Sequence, residues 1–588
     1  MATLPKVDVV FVGFGMVGGA IASELSKRAT NLKMVGLERG PFRNTNPDFL
    51  MDHFDEFRYA VQGQMFQDVA RETWTFRNDP RGSALPVREL GAFLPGNGVG
   101  GAAVHWNGMS WRFLEHFFQY RTHLEQRYGP GFLPEDTTIQ DWGITYAERE
   151  PYYTQWENTF GIAGKAGNIN GVIQPGGNPF EAPRSGEYPQ PPNKISYGPT
   201  LFKQAADQLG LKTFPYPSAN SPGVYTNPDG RVLAPCNYCG FCERFGCHVG
   251  AKASPIVTVI PTALASGQVE IRQFSNVFRV NNDGGGLATG VSYFDSNGQE
   301  QEQPADLVIL GAYTLSNIRL LLLSQIGEPY DPQANTGVVG RNFTYQVVGG
   351  NAVAWYNDRI VNRFMGSGAN GYCIDEFDSD NFDHSGLGFF GGGLISANNS
   401  GARPIQSFGP LPPGTPTWGS GFKATLKQYY NRSVSFGLQG ESPAYRQNYV
   451  DLDPNYEDAW GNPLLRITFN FTDNERKLVK YIADNALAPI VKQMNPSIQQ
   501  VSDTITDFNI VPYQTTHVCG GTVMGDDPRT SVVNKFGQVW GVPNLFVIGA
   551  SNFPQNAGLN PTGTVGALAY HAADAIVSRY LPGPGMLA

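Results

Sequence analysis

The sequence predicts an α/β protein in which one domain is assembled from distant chain segments and a second, α+β domain with an antiparallel sheet caps it. Short apolar strands near residues 8, 306 and 545 each lead into glycine and then into helical spacing, which is typical of a parallel sheet. Between them, stretches such as 433–438 alternate apolar and polar residues, which favours antiparallel strands. The first domain is expected to comprise 1–114, 231–344 and 501–588, and the cap 115–230 and 345–500.

Composition excludes several classes of protein. Of the 588 residues, 42 are Lys or Arg and 51 are Asp or Glu, giving a net charge of −9. Only 16% of residues are charged while 12% are aromatic, which is the opposite of a disordered chain. Net acidity without a basic tract argues against nucleic-acid binding. No apolar run approaches the roughly 18 residues of a transmembrane helix.

The amino-terminal residues, MATLPKVDVVFVGFG, read directly as a strand. They contain no basic stretch, apolar core or cleavage site of a signal peptide. Taken alone, this predicts a cytoplasmic protein. Export together with a partner that carries the signal stays open.

The opening segment forms a complete strand–turn–helix–strand pattern. Gly13, Gly15 and Gly18 follow the first apolar strand, and Glu38 ends the second. In this arrangement the first glycine makes a tight turn, the second admits a pyrophosphate and the third lets helix and strand pack. The phosphates lie at the helix N-terminus, and the carboxylate of the acidic residue accepts hydrogen bonds from the ribose hydroxyls. A Rossmann-like dinucleotide site is therefore predicted, a structural glycine turn being the alternative.

A second glycine-rich segment covers residues 96–109. Gly98, Gly100 and Gly101 allow the backbone to lie against a planar ligand, and His105 and Asn107 follow closely. A flexible loop is the alternative interpretation. The segment is predicted to line the same ligand site.

Two segments near the carboxyl terminus bring further polar groups. His517 stands in the run TTHVCGGTVMG, which fits either a reactive or a structural histidine. Ala550 follows the last apolar strand, and Asn560 and Thr562 flank Pro561. The Asn-Pro pair predicts an N-cap and first residue of a helix, whose N-terminus would face an anion or electron-rich atom.

Four of the six cysteines are clustered, unlike those of a disulfide scaffold. They are Cys236, Cys239, Cys242 and Cys247, while Cys373 and Cys519 stand alone. Thiolates at this spacing can hold a metal or a small cluster. A zinc knot and plain buried thiols remain alternatives.

Taken together, these motifs resemble the glucose–methanol–choline oxidoreductases, flavoproteins that oxidise alcohols. The resemblance covers essentially the whole chain and implies that FAD occupies the opening fingerprint. It implies that His517, in its HxxGG-like context, removes the hydroxyl proton, as a neutral imidazole can near pH 7. Asn560, in its NPxxT context, would stabilise the developing alkoxide. Gly13, Gly15, Gly18, Glu38, Gly98, Gly100, Gly101, His105, Asn107, Ala550 and Thr562 are the expected cofactor-binding residues.

The His105-Trp106 pair after Gly100-Gly101 is similar to a feature of some family members, such as pyranose oxidases. There a histidine in this position carries the flavin covalently. The resemblance therefore implies a covalent link from His105 to FAD, and a hydrogen-bonding histidine beside the ring is the alternative.

The cysteine insertion, 236–247, resembles that of bacterial membrane-bound sugar and sugar-acid dehydrogenases, which carry a [3Fe-4S] cluster on three cysteines. Cys236 and Cys242 keep the usual Cys-x5-Cys spacing, whereas Cys247 has one extra residue before it and His248-Val249 replaces Pro-Ile. The resemblance implies ligation by Cys236, Cys242 and Cys247. The role of Cys239 is open, as is a four-ligand [4Fe-4S] cluster.

Within that group the sequence looks most like gluconate or 2-keto-gluconate dehydrogenase flavoproteins. This implies oxidation of a sugar acid or sugar alcohol, D-gluconate to 2-keto-D-gluconate above all. It also implies a signal-carrying small subunit and a multihaem cytochrome c subunit that passes electrons to quinone, at the periplasmic face of the inner membrane. Cations suggested for a substrate carboxylate are Arg359, Arg363, Lys423 and Lys427.

Three alternatives stay open. One is a related dehydrogenase of 2-keto-gluconate, fructose or glucose. Another is an oxygen-using alcohol oxidase, against which the cysteine cluster argues. The last is a non-catalytic flavin or redox carrier, against which the presence of both His517 and Asn560 argues.

Overall fold

The computed structural model describes residues 2–50, 55–89, 91–401 and 403–588. The helices are α1 (Met16–Arg28), α2 (Tyr120–Tyr128), α3 (Tyr146–Phe160), α4 (Tyr197–Gln208), α5 (Val259–Ala265), α6 (Thr314–Leu323), α7 (Gly419–Tyr429), α8 (Asp473–Ile482), α9 (Ala488–Gln493) and α10 (Thr562–Ala575). Among these described helices, none combines the length and hydrophobicity that a bilayer crossing requires.

The strands, in chain order, are β1 (Ala2–Thr3), β2 (Val7–Val12), β3 (Met34–Leu37), β4 (Trp74–Arg77), β5 (Leu85–Pro86), β6 (Asn168–Ile169), β7 (Val172–Ile173), β8 (Phe214–Pro215), β9 (Tyr225–Thr226), β10 (Val232–Leu233), β11 (Val269–Arg272), β12 (Asn276–Asn282), β13 (Ala288–Phe294), β14 (Glu300–Leu310), β15 (Asn351–Trp355), β16 (Gly371–Ile374), β17 (Gly393–Asn398), β18 (Ser433–Gly440), β19 (Tyr449–Glu457), β20 (Pro463–Thr468), β21 (Ile498–Ser502) and β22 (Leu545–Val547).

The largest sheet joins distant parts of the chain, as predicted. Its strands run in the order β11-β3-β2-β14-β13-β12, and β1 and β22 also pair with β14. The pairs β11/β3, β3/β2, β2/β14 and β14/β22 are parallel. The apolar strands near residues 8, 306 and 545 therefore lie in one sheet, with β14 between the other two. The predicted α/β fold class is confirmed.

A six-stranded sheet, in the order β21-β15-β18-β17-β16-β8, is antiparallel throughout. This is the antiparallel sheet expected of the cap. A four-stranded sheet, β19-β20-β4-β5, pairs strands of the early and late chain. The limits proposed for the two domains stay a prediction.

The first and last helices of the chain pack against each other beside the parallel sheet. Helix α1 packs against α5 and α10, and α10 packs against α3. Close approach depends on small residues: a Cβ at Gly566 in α10 would meet the Trp156 ring of α3 at 2.2 Å. The carboxyl-terminal helix is thereby fixed beside the amino-terminal one, although more than 500 residues separate them in sequence.

Candidate active site

A cavity of about 490 Å³ lies at the carboxyl ends of the parallel strands. It is lined by residues at or just beyond the ends of β2, β3, β14 and β22 and by Asn398 and Gln439 of the antiparallel sheet. Open α/β sheets bind ligands at this edge. Of the predicted site residues, those that line it are Gly13, Gly15, Glu38, Gly101, His105, Asn107, His517, Ala550, Asn560 and Thr562.

The three fingerprint glycines are needed for different reasons. Gly13 has φ +82° and lies against Ala312, where a Cβ would come within 3.0 Å of the backbone. A Cβ on Gly18 would meet the Gly13 carbonyl at 2.5 Å, so Gly18 serves the packing of helix on turn and does not line the cavity. A Cβ on Gly15 would lie 3.5 Å from Gly101, an ordinary contact. Gly15 therefore leaves room for a ligand rather than for protein.

The second glycine segment divides in the same way. Gly98 (φ +146°) and Gly100 (φ +90°) lie behind the cavity, where side chains would strike Pro41 and Val104 at 2.6 Å. They shape the turn, because only glycine takes such angles readily. The remaining predicted residues of this segment line the cavity: Gly101, His105 and Asn107.

Glu38 occupies the end of β3 that borders the cavity. Its carboxylate accepts hydrogen bonds from the backbone N–H groups of Phe14 and Gly40, both at 3.1 Å. These bonds hold it at the edge of the glycine turn. Its contact with a ribose stays a prediction.

His105 is buried at 5% exposure, and its Nε2 atom has no hydrogen-bond partner among the described residues. Burial, with the nearby Lys252 charge, lowers the pKa of His105 to about 3, so the ring is neutral. Buried polar atoms in native proteins normally have partners. An unpartnered nitrogen in a residue that lines the cavity fits a bound flavin, attached through this atom or hydrogen-bonded to it.

His517 and Asn560 lie side by side at the cavity wall. The His517 Nε2 and Asn560 Nδ2 atoms are 3.0 Å apart, although 43 residues separate them in sequence. The resemblance implied that both residues act on the same substrate oxygen, and these chemical roles stay a prediction.

Hydrogen bonds around this pair determine which ring nitrogen carries the proton. The Trp111 indole can only donate, and it donates to Asn560 Oδ1 at 3.0 Å. The Asn560 NH₂ group therefore faces His517 Nε2, which must accept. On the other side, His517 Nδ1 lies 2.7 Å from Gln346 Oε1 and 2.6 Å from the Thr515 hydroxyl. Because the Gln346 NH₂ group donates to Gly558, the Gln346 oxygen faces the ring and can only accept, so Nδ1 carries the proton.

The ring is also held neutral. Burial lowers the pKa of His517 to about 3, because charging an imidazole away from water is unfavourable. An imidazole with an unprotonated Nε2 beside an amide donor can accept a proton from a hydroxyl group while the amide stabilises the oxygen.

The predicted helix cap at Asn560 is wrong. Helix α10 begins at Thr562, Pro561 precedes it, and no side chain caps it. The Asn560 amide is engaged by Trp111 and His517 instead. Tertiary contacts thus override the local preference of asparagine for capping. The helix N-terminus does border the cavity, through Pro561 and Thr562.

The cysteine loop lies directly behind the 105–107 segment. Its Arg244 N–H donates to the His105 carbonyl at 2.7 Å. The buried Lys252 ammonium donates to the carbonyls of Trp106 (3.0 Å), Cys242 (2.6 Å) and Phe245 (2.7 Å). The loop is therefore fastened to the backbone that carries His105.

The four clustered thiols influence one another, and none of the six cysteines forms a disulfide bond. Burial raises the pKa of Cys236 to about 12 and that of Cys242 to about 11, and neighbouring thiols add to both shifts. Across the described ranges, no group of three or more His, Cys, Asp or Glu side chains is arranged to hold a metal ion. The predicted ligands Cys236, Cys239, Cys242 and Cys247 therefore share one loop without forming a metal site in this structure.

Sequence reasoning missed three residues that build the site. Trp111 and Gln346 orient Asn560 and His517, and Lys252 joins the cysteine loop to the cavity wall. No local motif marks the first two, because their partners are distant in sequence. Lys252, a lone cation directly after the cysteine cluster, was visible in the sequence.

The cations suggested for a substrate carboxylate lie elsewhere. Arg359, Arg363, Lys423 and Lys427 are not among the residues that line the cavity. Lys423 and Lys427 are exposed on α7. The arginines that do line it, Arg39 and Arg319, both pair with Glu72.

Comparison with known proteins agrees with this geometry. Residues 444–569 match the GMC oxidoreductase family. The chain is 44% identical over 99% of its length to the gluconate 2-dehydrogenase flavoprotein of Pantoea cypripedii, of which it covers 95%. It is 26% identical over 97% of its length to the fructose dehydrogenase large subunit of Gluconobacter japonicus, of which it covers 98%.

A solved structure supports the fold. Pyridoxine 4-oxidase from Mesorbium loti superposes with a TM-score of 0.58 at 18% identity, over 97% of this chain and 98% of that one. The glycine cradle, the unpartnered His105 nitrogen and the cavity fit FAD as the bound group. The chain belongs to the glucose–methanol–choline oxidoreductases and is an FAD-dependent oxidoreductase that acts on CH–OH groups.

Proposed function

We propose that this chain oxidises a secondary alcohol of a sugar acid, D-gluconate to 2-keto-D-gluconate, and passes the electrons to a cytochrome c subunit and quinone. The observation that carries the proposal is the pairing of a neutral His517 Nε2 with the Asn560 NH₂ group, 3.0 Å apart at the wall of the cofactor cavity.

The two side chains divide the work on the substrate oxygen. A hydroxyl placed between them donates its proton to His517 Nε2 and accepts a hydrogen bond from Asn560. As the C–H bond breaks, Asn560 stabilises the charge that develops on oxygen, and His517 keeps the proton, leaving a ketone. When bound, FAD supplies the hydride acceptor.

The choice of substrate is supported by the relatives. The 44% identical relative is named as a gluconate 2-dehydrogenase flavoprotein, and a further relative is a fructose dehydrogenase large subunit. Related dehydrogenases of 2-keto-gluconate, fructose or glucose, and an oxygen-using oxidase, are the alternatives.

An iron–sulfur cluster on the cysteine loop is supported by the electrostatics of Lys252. This ammonium is 1% exposed and has no carboxylate within salt-bridge distance among the described residues, although a buried charge needs compensation. Burial lowers the pKa of Lys252, whereas negative charge at Cys242, Cys247 and Cys239, and at Glu243, favours its charged form. Cys236, Cys242 and Cys247, with or without Cys239, would hold a [3Fe-4S] or [4Fe-4S] cluster, which supplies one-electron transfer.

The remaining parts of the proposal concern assembly. The relatives named as a flavoprotein and as a large subunit support the presence of partner subunits. The proposed partners are a small subunit that carries an export signal and a multihaem cytochrome c. The proposed location is the periplasmic face of the bacterial inner membrane, with attachment to the membrane only through these partners.

The experiment is anaerobic mixing of the purified protein with D-gluconate, 2-keto-D-gluconate, D-fructose and D-glucose. Bleaching of the flavin absorbance by D-gluconate at the lowest concentration supports the proposal, and bleaching only by another of these sugars assigns that alternative. Rapid reoxidation by oxygen with stoichiometric peroxide would identify an oxidase. Iron and sulfide analysis tests the cluster, and flavin that stays on acid-precipitated protein establishes the His105 bond.

A further inference from the structure

Two amide side chains of the antiparallel sheet also line the cavity. They are Asn398, which ends β17, and Gln439 in the neighbouring strand β18. The side-chain oxygens of both are buried and have no hydrogen-bond partner among the described residues. Neither residue has a part in the proposed proton transfer.

The orientation of Asn398 is fixed by its other end. Its NH₂ group donates to the Gly368 carbonyl at 2.9 Å, so the oxygen is the atom left over. A buried acceptor without a partner is unfavourable, and native proteins seldom leave one without a reason. We therefore expect a bound ligand to donate a hydrogen bond to the Asn398 side-chain oxygen.

The two amides share one face of the sheet. Gln439 lies opposite Leu394 in the antiparallel pairing of β18 with β17. Asn398 is four residues further along β17, and residues an even number apart lie on the same face. At ~3.3 Å per residue this is about 13 Å along the strand. Both amides therefore lie on the face of the sheet that borders the cavity.

The charges of the cavity argue against recognition of a carboxylate. The Lys and Arg residues among its described lining are Arg39 and Arg319. Arg39 pairs with Glu72, and Arg319 pairs with Glu72 and Asp458. Both guanidinium groups are thus already neutralised by carboxylates of the protein. Glu243, which also lines the cavity, pairs in turn with Arg244 at 3.5 Å.

We infer that Asn398 and Gln439 form a subsite for the hydroxyl groups of the substrate chain, so that the enzyme recognises a polyhydroxylated chain through its O–H donors and not through a carboxylate. This inference rests on the proposed alcohol oxidation. A ligand hydroxyl can donate to each amide oxygen, whereas a carboxylate has no proton to offer near neutral pH.

The test compares three compounds in anaerobic flavin reduction. D-Gluconate carries both features, D-glucitol keeps the hydroxyl chain without the carboxylate, and 2-hydroxybutyrate keeps the carboxylate without the chain. Loss of the chain is expected to lower kcat/KM at least tenfold more than loss of the carboxylate. Faster reduction by 2-hydroxybutyrate than by D-glucitol would overturn the inference.

Variants connect this preference to the subsite. Gln439→Met, similar in size but without an acceptor, is expected to lower kcat/KM about tenfold more for D-gluconate than for 2-hydroxybutyrate. Gln439→Glu keeps an acceptor oxygen, so its kcat/KM for the neutral D-glucitol is expected to be much closer to the wild-type value than that of Gln439→Met. Gln500→Met, on the exposed face of β21, is the matched control and leaves all three values unchanged. Equal losses for both acids in Gln439→Met would contradict the subsite.

Failure of the proposed function gives a different result. If none of the three compounds reduces the flavin, the assigned reaction is wrong, and binding is then measured from the perturbation of the oxidised flavin spectrum. The subsite predicts about tenfold weaker binding of D-glucitol to Gln439→Met than to the wild type. Equal binding would overturn it independently of the reaction.

Discussion

At the scale of single residues, the site is a small network in which each hydrogen bond determines the next. The Trp111 indole determines the orientation of the Asn560 amide, and this amide together with Gln346 determines the tautomer of His517. The base is thus prepared before any substrate binds. Such preorganisation removes the cost of reorienting dipoles during the reaction.

The pH dependence of substrate oxidation follows from the neutral ring. Because burial lowers the pKa of His517 to about 3, its Nε2 stays unprotonated on lowering the pH until that value is approached. The rate constant for flavin reduction at saturating substrate is expected to change less than twofold between pH 8 and pH 5, as measured by anaerobic stopped-flow. A fall with a midpoint near 6.5, the value of an ordinary histidine, would contradict this environment.

Motifs identified the reacting residues but not the residues that orient them. His517 and Asn560 stand in recognisable contexts, and the structure brings them into contact. Trp111 and Gln346 act through contacts across 449 and 171 positions of sequence, which no local pattern encodes. The orientation of a functional group is therefore a tertiary property, whereas its chemical identity is local.

At the scale of elements, the turn between β2 and α1 makes a prediction about cofactor binding. A methyl group at Gly15 would meet Gly101 only at 3.5 Å, so Gly15→Ala is compatible with the fold but narrows the space for pyrophosphate. The variant is expected to fold and to lose at least about tenfold in FAD affinity, measured by flavin titration of apoprotein.

The control lies in the same turn. Gly18→Ala places its methyl group 2.5 Å from the Gly13 carbonyl and is expected to destabilise the protein itself, lowering its unfolding midpoint. Normal FAD binding by a folded Gly15→Ala protein would show that the cavity beside α1 is not the pyrophosphate site.

The cysteine loop makes a separate prediction. Cys242→Ser is expected to remove the iron–sulfur signal in electron paramagnetic resonance and the transfer of electrons to cytochrome, while D-gluconate still reduces the flavin. Cys373→Ser, at a buried thiol in β16, is the matched control and keeps full iron content. Full iron content in Cys242→Ser, with Cys236→Ser behaving alike, would exclude the proposed ligands.

At the same scale, a strong apolar pattern predicts where a strand lies, but it does not predict the residues at which strands and helices begin. The buried strand and glycine turn at the start of the chain lie where the apolar run predicts them, as β2 and α1. The apolar strand expected near residue 306 extends back to Glu300, because pairing with β13 and β1 stabilises polar residues that have weak strand preference. Helix α10 starts later than the Asn-Pro pair suggests, because the Asn560 side chain bonds His517 and does not cap the helix.

At the scale of the whole molecule, the site exists only when distant segments assemble. Strand β14, from the middle of the chain, lies between β2 and β22 from its two ends. The cavity then forms between this parallel sheet and the antiparallel sheet. The apolar character of the three strands indicated a common sheet, but their order depends on pairing that sequence spacing does not contain.

Stability is expected to depend on the buried carboxyl group of Glu441, directly after β18. Burial raises the pKa of Glu441 to about 8, so its protonated form stabilises the fold fully below pH ~4.5, its ordinary value, and this contribution is lost as the pH rises through 8. Glu441→Gln mimics the protonated acid, because its amide can accept from Gly392 and donate to the Tyr120 hydroxyl, the groups that now contact the carboxylate.

The variant is therefore expected to be more stable than the wild type at pH 9, by roughly 1–3 kcal/mol, and similar at pH 5. Urea unfolding at the two pH values measures the difference, and Glu457→Gln, at an exposed position of β19, serves as control. An equal difference at both pH values would show that Glu441 is not protonated in the folded protein.

The most direct test of the central claim, that His517 is the base which removes the alcohol proton, is anaerobic flavin reduction by D-gluconate in His517→Ala. The account predicts that this variant keeps its flavin and its unfolding midpoint but loses at least about 10²-fold in the rate of reduction. A rate close to that of the wild type, with flavin fully bound, would contradict it.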